Sequence, residues 1–200
     1  MIPALRDKYN AEFSEQMKKV IGSSGMRFDN SRCRNAETEI GNLITDIIRR
    51  RAGNADISFQ NGDSIKAALN KGPITVEEIH RLLPSENHIV TMRLTGAQVE
   101  EAVKRSVSFQ DRFLQVSGLN VLVQGGRVKS IMVGGKKLAG DKYYRVAVND
   151  FLAAGGDGYD VFTRGKNQKS TGLDLRDAVI RHIQANKNIT GRIEGRYRFY

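Results

Sequence analysis

The apolar residues of this chain recur with two periods, one helical and one extended. From Glu37 to Arg51, Ile40, Leu43, Ile44, Ile47 and Ile48 fall at the i, i+3, i+4, i+7, i+8 spacing that lines one face of a helix. Residues 2–21 predict an earlier helix, with Pro3 in its first turn and Gly22 at its end. Its stripe of Leu5, Tyr9, Phe13, Met17, Val20 and Ile21 is narrow, fit to lie along a domain or to bridge to a preceding one. Thr75 with Glu78, and Thr95 with Gln98, have the spacing of capping boxes, opening helices that run to Leu83 and to Arg105 or Ser106. A short helix is expected around Ile65 to Leu69 and a longer one from Leu175 to Ala185.

Between the helices the period shortens to two. Ala55–Gln60, His88–Leu94, Phe113–Val116, Leu119–Val123, Val128–Val133, Tyr143–Val148 and Ile193–Phe199 read as strands. Gly125-Gly126 and Gly134-Gly135 stand where hairpin turns are expected, and Asn61-Gly62 is a tight turn after the first strand. Helices mixed with hairpins predict α+β layers rather than a doubly wound parallel sheet.

Composition changes little in this picture. The 200 residues, 40% hydrophobic and 27% charged, suffice for one well-buried domain or two small lobes on a shared core. No apolar stretch approaches the roughly 20 residues of a membrane span. The N-terminal residues are charged almost from the start and carry no secretory leader, so the expectation is either a cytosolic protein or one that lost a leader before Met1. Cys33 is the only cysteine, which rules out an intrachain disulfide and a thiolate zinc site.

Charge points to an anionic partner. Thirty-two Lys and Arg against 22 Asp and Glu give a net charge of +10, unless these residues only solvate the surface. The basic residues are spread along the chain and punctuated by acids, with no arm or RNA-binding aromatic motif, so nucleic acid is not the expected partner. Catalytic machinery is not in evidence. A two-metal phosphoesterase centre needs several converging His, Asp and Asn ligands, whereas His80, His88 and His182 are scattered without a paired motif. No nucleophile elbow or phosphate-cradling P-loop occurs. No catalytic or metal-binding residue is therefore assigned.

Four stretches carry binding chemistry. Arg34 precedes the N-terminus of the most strongly amphipathic helix, a good place to hold an oxyanion unless it pairs with Glu37. Phe59 to Lys66 runs from strand through a small-residue turn, offering the Asn61 amide and the Lys66 charge. Leu83-Pro84-Ser85-Glu86-Asn87 is a loop between a helix and a strand. Asn149 to Tyr159 sets Phe151 and Asp157 around a glycine loop. An exposed ring can stack on a base and a carboxylate can accept ribose hydroxyls; the alternative is a core Phe followed by an ordinary turn.

In this order the stretches resemble the C-terminal domain of the 5′-nucleotidase and UDP-sugar hydrolase family. The most specific match is Phe151-Leu152-Ala153-Ala154-Gly155-Gly156-Asp157-Gly158-Tyr159. Arg34 with Glu37, Thr38, Gly41 and Asn42 follows, then Phe113-Leu114-Gln115-Val116-Ser117-Gly118. The resemblance implies a four-layer α/β/β/α domain with mixed sheets at residues 25–200, preceded by an interdomain-type linker helix at residues 1–24. It implies a domain that holds the nucleotide or nucleoside, with Arg34, Asn61 and Lys66 on the phosphate and sugar side, Phe151 stacked on the base and Asp157 on the ribose. Asn87 and Gly118 match loop positions near the base. Two divalent metals, and the hydrolysis itself, would belong to a separate N-terminal metallophosphoesterase domain of the parent chain, in a periplasmic or extracellular protein. There are departures. Where the family reads Asn-Gly-Gly-Gly-Ile-Arg this chain has Asn61-Gly62-Asp63-Ser64-Ile65-Lys66, and Ser85 replaces a stacking ring. A lysine lacks the bidentate fork of arginine, and these departures leave open an interaction domain whose pocket has degenerated.

Overall fold

The computed structural model describes residues 12–109 and 111–200. The predicted helix 2–21 lies outside them up to residue 11; residues 12–18 are helical, and the helix stops there. Val20 and Ile21, expected on its stripe, begin strand β1 (Val20–Ser24) instead. Gly22 acts here as a close-approach residue rather than a helix stop. A Cβ on it would sit 2.7 Å from the Ile183 side chain and 2.8 Å from the Lys187 carbonyl.

The elements that follow are α1 (Glu39–Arg51), β2 (Ile57–Asn61), β3 (Gly72–Thr75), α2 (Val76–Leu82), β4 (His88–Thr95) and α3 (Gly96–Ser108). Then come β5 (Leu114–Ser117), β6 (Leu119–Gln124), β7 (Arg127–Val133), β8 (Lys136–Lys137) and β9 (Tyr143–Asn149). A short α4 (Asp150–Ala153), β10 (Lys166–Asp174), α5 (Leu175–Asn186), β11 (Asn188–Ile189) and β12 (Tyr197–Phe199) complete the chain. Thr38 caps α1 by accepting from the Gly41 amide. Both predicted capping boxes form, at Thr75 with Glu78 and at Thr95 with Gln98.

The described strands make a five-stranded sheet ordered β10-β4-β9-β2-β5, a four-stranded sheet β12-β6-β7-β8 and a three-stranded sheet β11-β1-β3. The five-stranded sheet is mixed: β9 runs parallel to β2 and antiparallel to β4, and β5 is antiparallel to β2. This is an α+β protein. Period-two alternation divides its core in two. Ile57, Phe59, Val90, Met92, Val146 and Val148 face a cluster completed by α3 and the four-stranded sheet. Ile89 and Ala147, on the other face, join Ile40, Ile44, Ile47 and Ile48 of α1, with residues of α2 and α5. Both faces of β2 are covered, and all five of its residues are buried.

Two further expectations change. Residues 65–69 are not helical: Leu69 is extended and exchanges backbone hydrogen bonds with Phe28, at 2.8 and 3.0 Å. Ile65 and Leu69 are both buried, so their four-residue spacing reflected core positions on an extended segment. The last strand is shorter than Ile193–Phe199: its backbone bonding to β6 begins at the Arg196 carbonyl, which accepts from the Val121 amide at 2.7 Å, and side chains help to hold the segment before it. Glu37 accepts from the amides of Glu194, at 2.8 Å, and Tyr197, at 3.2 Å.

Candidate functional site

Sheet topology decides which loops meet. Strands β2 and β9 are parallel, so their C-terminal residues Asn61 and Asn149 emerge at one edge of the sheet. Ile89 pairs with Asn149 and Leu114 with Asn61, so β4 and β5 begin at that same edge. The segments around 61–66, 85–88, 111–113 and 149–159 therefore converge there, at the carboxyl ends of two parallel strands where open sheets present ligand sites.

The Arg34 loop is brought to them by a buried glutamine. Gln115 donates from Nε2 to the carbonyls of Cys33, at 2.8 Å, and Ala36, at 2.7 Å, and its Oε1 accepts from the Thr38 amide at 3.1 Å. Gly41 leaves room for this side chain, and a Cβ there would collide with it. Gly62 has the same role beside the Cys33 carbonyl, which a Cβ would strike. Residues 33–34 and 61–63 are thus in backbone contact. Cys33 is fully buried, and burial pushes its thiol up to about 11, which keeps it a packing residue rather than a nucleophile.

Within this edge lies a hydrogen-bonded network. Asn61 donates from Nδ2 to the Asp157 carboxylate at 2.9 Å, and its Oδ1 accepts from Asn149 Nδ2 at 2.9 Å. Asn149 also caps α4 by accepting from the Leu152 amide. Asn61 and Asn149 are buried, and Asp157 is half-buried. Asp157 has φ 55°, a left-handed conformation that turns its carboxylate toward Asn61 and is costly for an ordinary side chain.

Phe151 is 44% exposed. The alternative of a core phenylalanine is excluded. Its ring lies over Gly156, the residue before Asp157, where any Cβ would strike the ring. Asn87 reaches the same place: its Nδ2 donates to Asp150 Oδ1 at 2.8 Å, and that oxygen also accepts from the Phe151 amide at 2.9 Å. Ser85 is exposed in the loop just before.

Arg34 does not pair with Glu37, which is engaged with Asn42 and with the amides of Glu194 and Tyr197. It pairs instead with Asp63, Nε to Oδ1 at 3.2 Å, and Lys66 pairs with the other oxygen of the same carboxylate at 3.0 Å. Arg105 and Arg112 escaped the sequence reading. Both guanidinium groups lie over the Phe109 ring, at 5.3 and 5.6 Å, and a Cβ on Gly158 would meet both arginines. Arg112 also donates to the Asp157 carbonyl at 3.5 Å, and its own carbonyl accepts from the buried Tyr159 hydroxyl at 2.5 Å. Tyr159, the last residue of the glycine-loop match, was the available clue.

Gly118 belongs elsewhere. It follows the end of β5 opposite to Leu114, roughly 13 Å along the strand from the Asn61 edge. Its φ of 84° and the closeness of the Asp56 carbonyl explain why it is glycine. There it lines a cavity of about 810 Å³ with Arg49, Lys136 and Lys142, far from the other predicted residues. The cavity lining includes none of Arg34, Asn61, Lys66, Asn87, Phe151 and Asp157; the convergent ring, carboxylate, amides and cations are at the Asn61 edge. Six of the seven predicted residues meet: Arg34, Asn61, Lys66, Asn87, Phe151 and Asp157.

Metal-ligating groups are another matter. Among the described residues no three His, Cys, Asp or Glu side chains gather to hold an ion. His80 lies against Arg176, and His88 faces Asp150 at 3.7 Å. These residues do not fit a two-metal centre. No described helix is long and apolar enough to cross a membrane.

Fold and site together define an α+β domain that presents an exposed ring and a carboxylate at a sheet edge. Residues 16–164 match the family described as 5′-nucleotidase, C-terminal domain, and the chain belongs to that family. It is 30% identical to the trifunctional nucleotide phosphoesterase protein YfkN of Bacillus subtilis, over 95% of this chain and 14% of that protein. It is 31% identical to the cell wall protein Lmo0130 of Listeria monocytogenes, over 84% of this chain and 24% of that one. The solved 5′-nucleotidase precursor of Thermus thermophilus superposes with a TM-score of 0.87 at 33% identity, covering 96% of this chain and 41% of that one. The chain thus spans less than half the length of each.

Proposed function

We propose that this chain is the substrate-binding domain of a 5′-nucleotidase-type phosphohydrolase. It holds the base and ribose of a nucleotide for hydrolysis by a separate N-terminal domain carrying two divalent metals. Phe151 stacks on the base, Asp157 accepts ribose hydroxyls, and Asn61 and Asn87 hold the carboxylates of Asp157 and Asp150 in place. Arg34 and Lys66 face the phosphate side. One observation carries the reading: an exposed phenylalanine ring packs on Gly156 of the glycine loop, and the carboxylate of the next residue, Asp157, is oriented by an amide from a different strand. A solvent-facing ring backed by glycine offers its π-face to a planar ligand. The family's location in the periplasm or outside the cell is proposed with it, in keeping with a relative named as a cell wall protein.

Calorimetry with adenosine tests this. The chain binds, and Phe151→Ala weakens binding by at least the ~0.5–1.5 kcal/mol of a stacked pair. Absence of heat with adenosine and AMP at millimolar concentration would leave the second reading, an interaction domain with a degenerate pocket. Ser85, exposed where a second ring is expected, favours that reading.

A further inference from the structure

Arg34 and Lys66 are not open to a ligand in the way two isolated cations would be. One carboxylate occupies both: Asp63 Oδ1 meets Arg34 Nε at 3.2 Å and Asp63 Oδ2 meets Lys66 Nζ at 3.0 Å. The arrangement is held by backbone. The Gly62 amide donates to the Phe113 carbonyl at 2.9 Å, the Ile65 amide closes the turn onto the Gly62 carbonyl at 3.2 Å, and Gly62 packs against the Cys33 carbonyl. The turn carrying Asp63 and the loop carrying Arg34 are therefore fixed relative to each other. Arg34 is further held toward the Asp111 carbonyl, at 3.4 Å.

From this we infer that Asp63 is the charge-selecting residue of the nucleotide site, setting it to accept a ligand end that is neutral or singly charged in preference to a dianionic phosphomonoester. The inference rests on the nucleotide-binding reading above and specifies the substrate class of that site. With Asp63 between them, the two cations present one surplus positive charge instead of two. A phosphodiester monoanion is matched by that surplus. A phosphomonoester, a dianion above its second pKa of about 6, brings one charge that is unmatched and faces the Asp63 carboxylate. It must either tolerate that repulsion or displace Asp63 from both partners. A neutral nucleoside meets neither cost. The three side chains are partly exposed, so solvent moderates the effect to fold-changes rather than an absolute exclusion.

The test compares adenosine, AMP and the methyl ester of AMP by calorimetry at low ionic strength and a pH of about 8, where AMP is a dianion. The chain and its Asp63→Asn variant are measured side by side, with melting curves to show that both are folded. The native chain binds AMP no more tightly than the methyl ester. Asp63→Asn strengthens AMP binding about three- to tenfold, the methyl ester by a smaller factor and adenosine by less than about twofold. Asp63→Gly, which removes the carboxylate differently, moves the ligands in the same order. A native chain that prefers AMP over its methyl ester, or a substitution that shifts all three ligands equally, overturns the assignment of Asp63 while adenosine binding upholds the site. If none of the three binds to either protein, the nucleotide site falls and this inference with it.

Discussion

The Asn61 side chain donates to the carboxylate of Asp157, 96 positions further along, at 2.9 Å, while its own carbonyl oxygen accepts from Asn149. A buried amide with both ends engaged orders the glycine loop from a strand of the central sheet. It couples stability and site geometry in one residue.

Asn61→Ala therefore lowers stability. Asn149 loses a buried acceptor and the half-buried Asp157 loses a donor, and one unsatisfied buried group costs about 1–3 kcal/mol. Urea unfolding shows it as a lower midpoint with an unchanged slope. Adenosine affinity falls as well, because the left-handed Asp157 loses the partner that aims it. A variant as stable as the native chain would remove Asn61 from its organising role.

Gly118→Ala separates the two edges of the sheet. At φ 84°, with the Asp56 carbonyl in the place of a Cβ, alanine is strained, and the expected loss of stability is about 1–3 kcal/mol. Adenosine affinity of the folded protein is unchanged, because Gly118 lies away from the Asn61 edge. Calorimetry below the melting transition distinguishes this from a ligand-contacting role, which would show as weakened binding.

Ser85→Phe places a ring in the exposed loop two residues before Asn87, which is tied to Phe151 through Asp150. A base held between two faces gains about 0.5–1.5 kcal/mol. Adenosine then binds roughly three- to tenfold more tightly. No gain, with the fold intact, means that the 85–87 loop does not reach the ligand.

Acid weakens the fold through His80. Burial, and next the Arg176 guanidinium at 3.0 Å, hold its imidazole below the ordinary 6.5. Because its folded pKa is depressed, the unfolded chain takes up the proton first. Stability is intact above about pH 6.5 and declines as the pH falls below it; His182, lowered by burial and by Arg50 and Arg51, adds in the same direction. Denaturation midpoints between about pH 7.5 and 5 record the decline, and His80→Gln makes it shallower. An equal slope in the variant would assign the loss to other groups.

Most of the regular structure was legible because it depends on local pattern. The α1 stripe and the two capping boxes are satisfied within a few residues of themselves, so tertiary context had little to alter. The strands that escaped lack an alternating signal. Lys166–Asp174 is a mostly exposed edge strand joined to β4 through backbone, and Val20–Ser24 is five residues pinned between β3 and β11. A strand without a well-buried face carries no alternation, and its backbone pairing alone does not write one into the sequence.

What the sequence alone determined is the kind of domain and a set of candidate residues, because a ring, a carboxylate, amides and glycines at set spacings already state their chemistry. Only the tertiary structure decided which of them share an edge. Strand direction brought Asn61 and Asn149 together and carried Gly118 away. It also decided that Arg34 answers to Asp63 rather than to Glu37, since Gln115 and Gly62 press two distant loops into contact. Pairing between charges is set by distance in space, and the chain order of those residues contains no record of that distance.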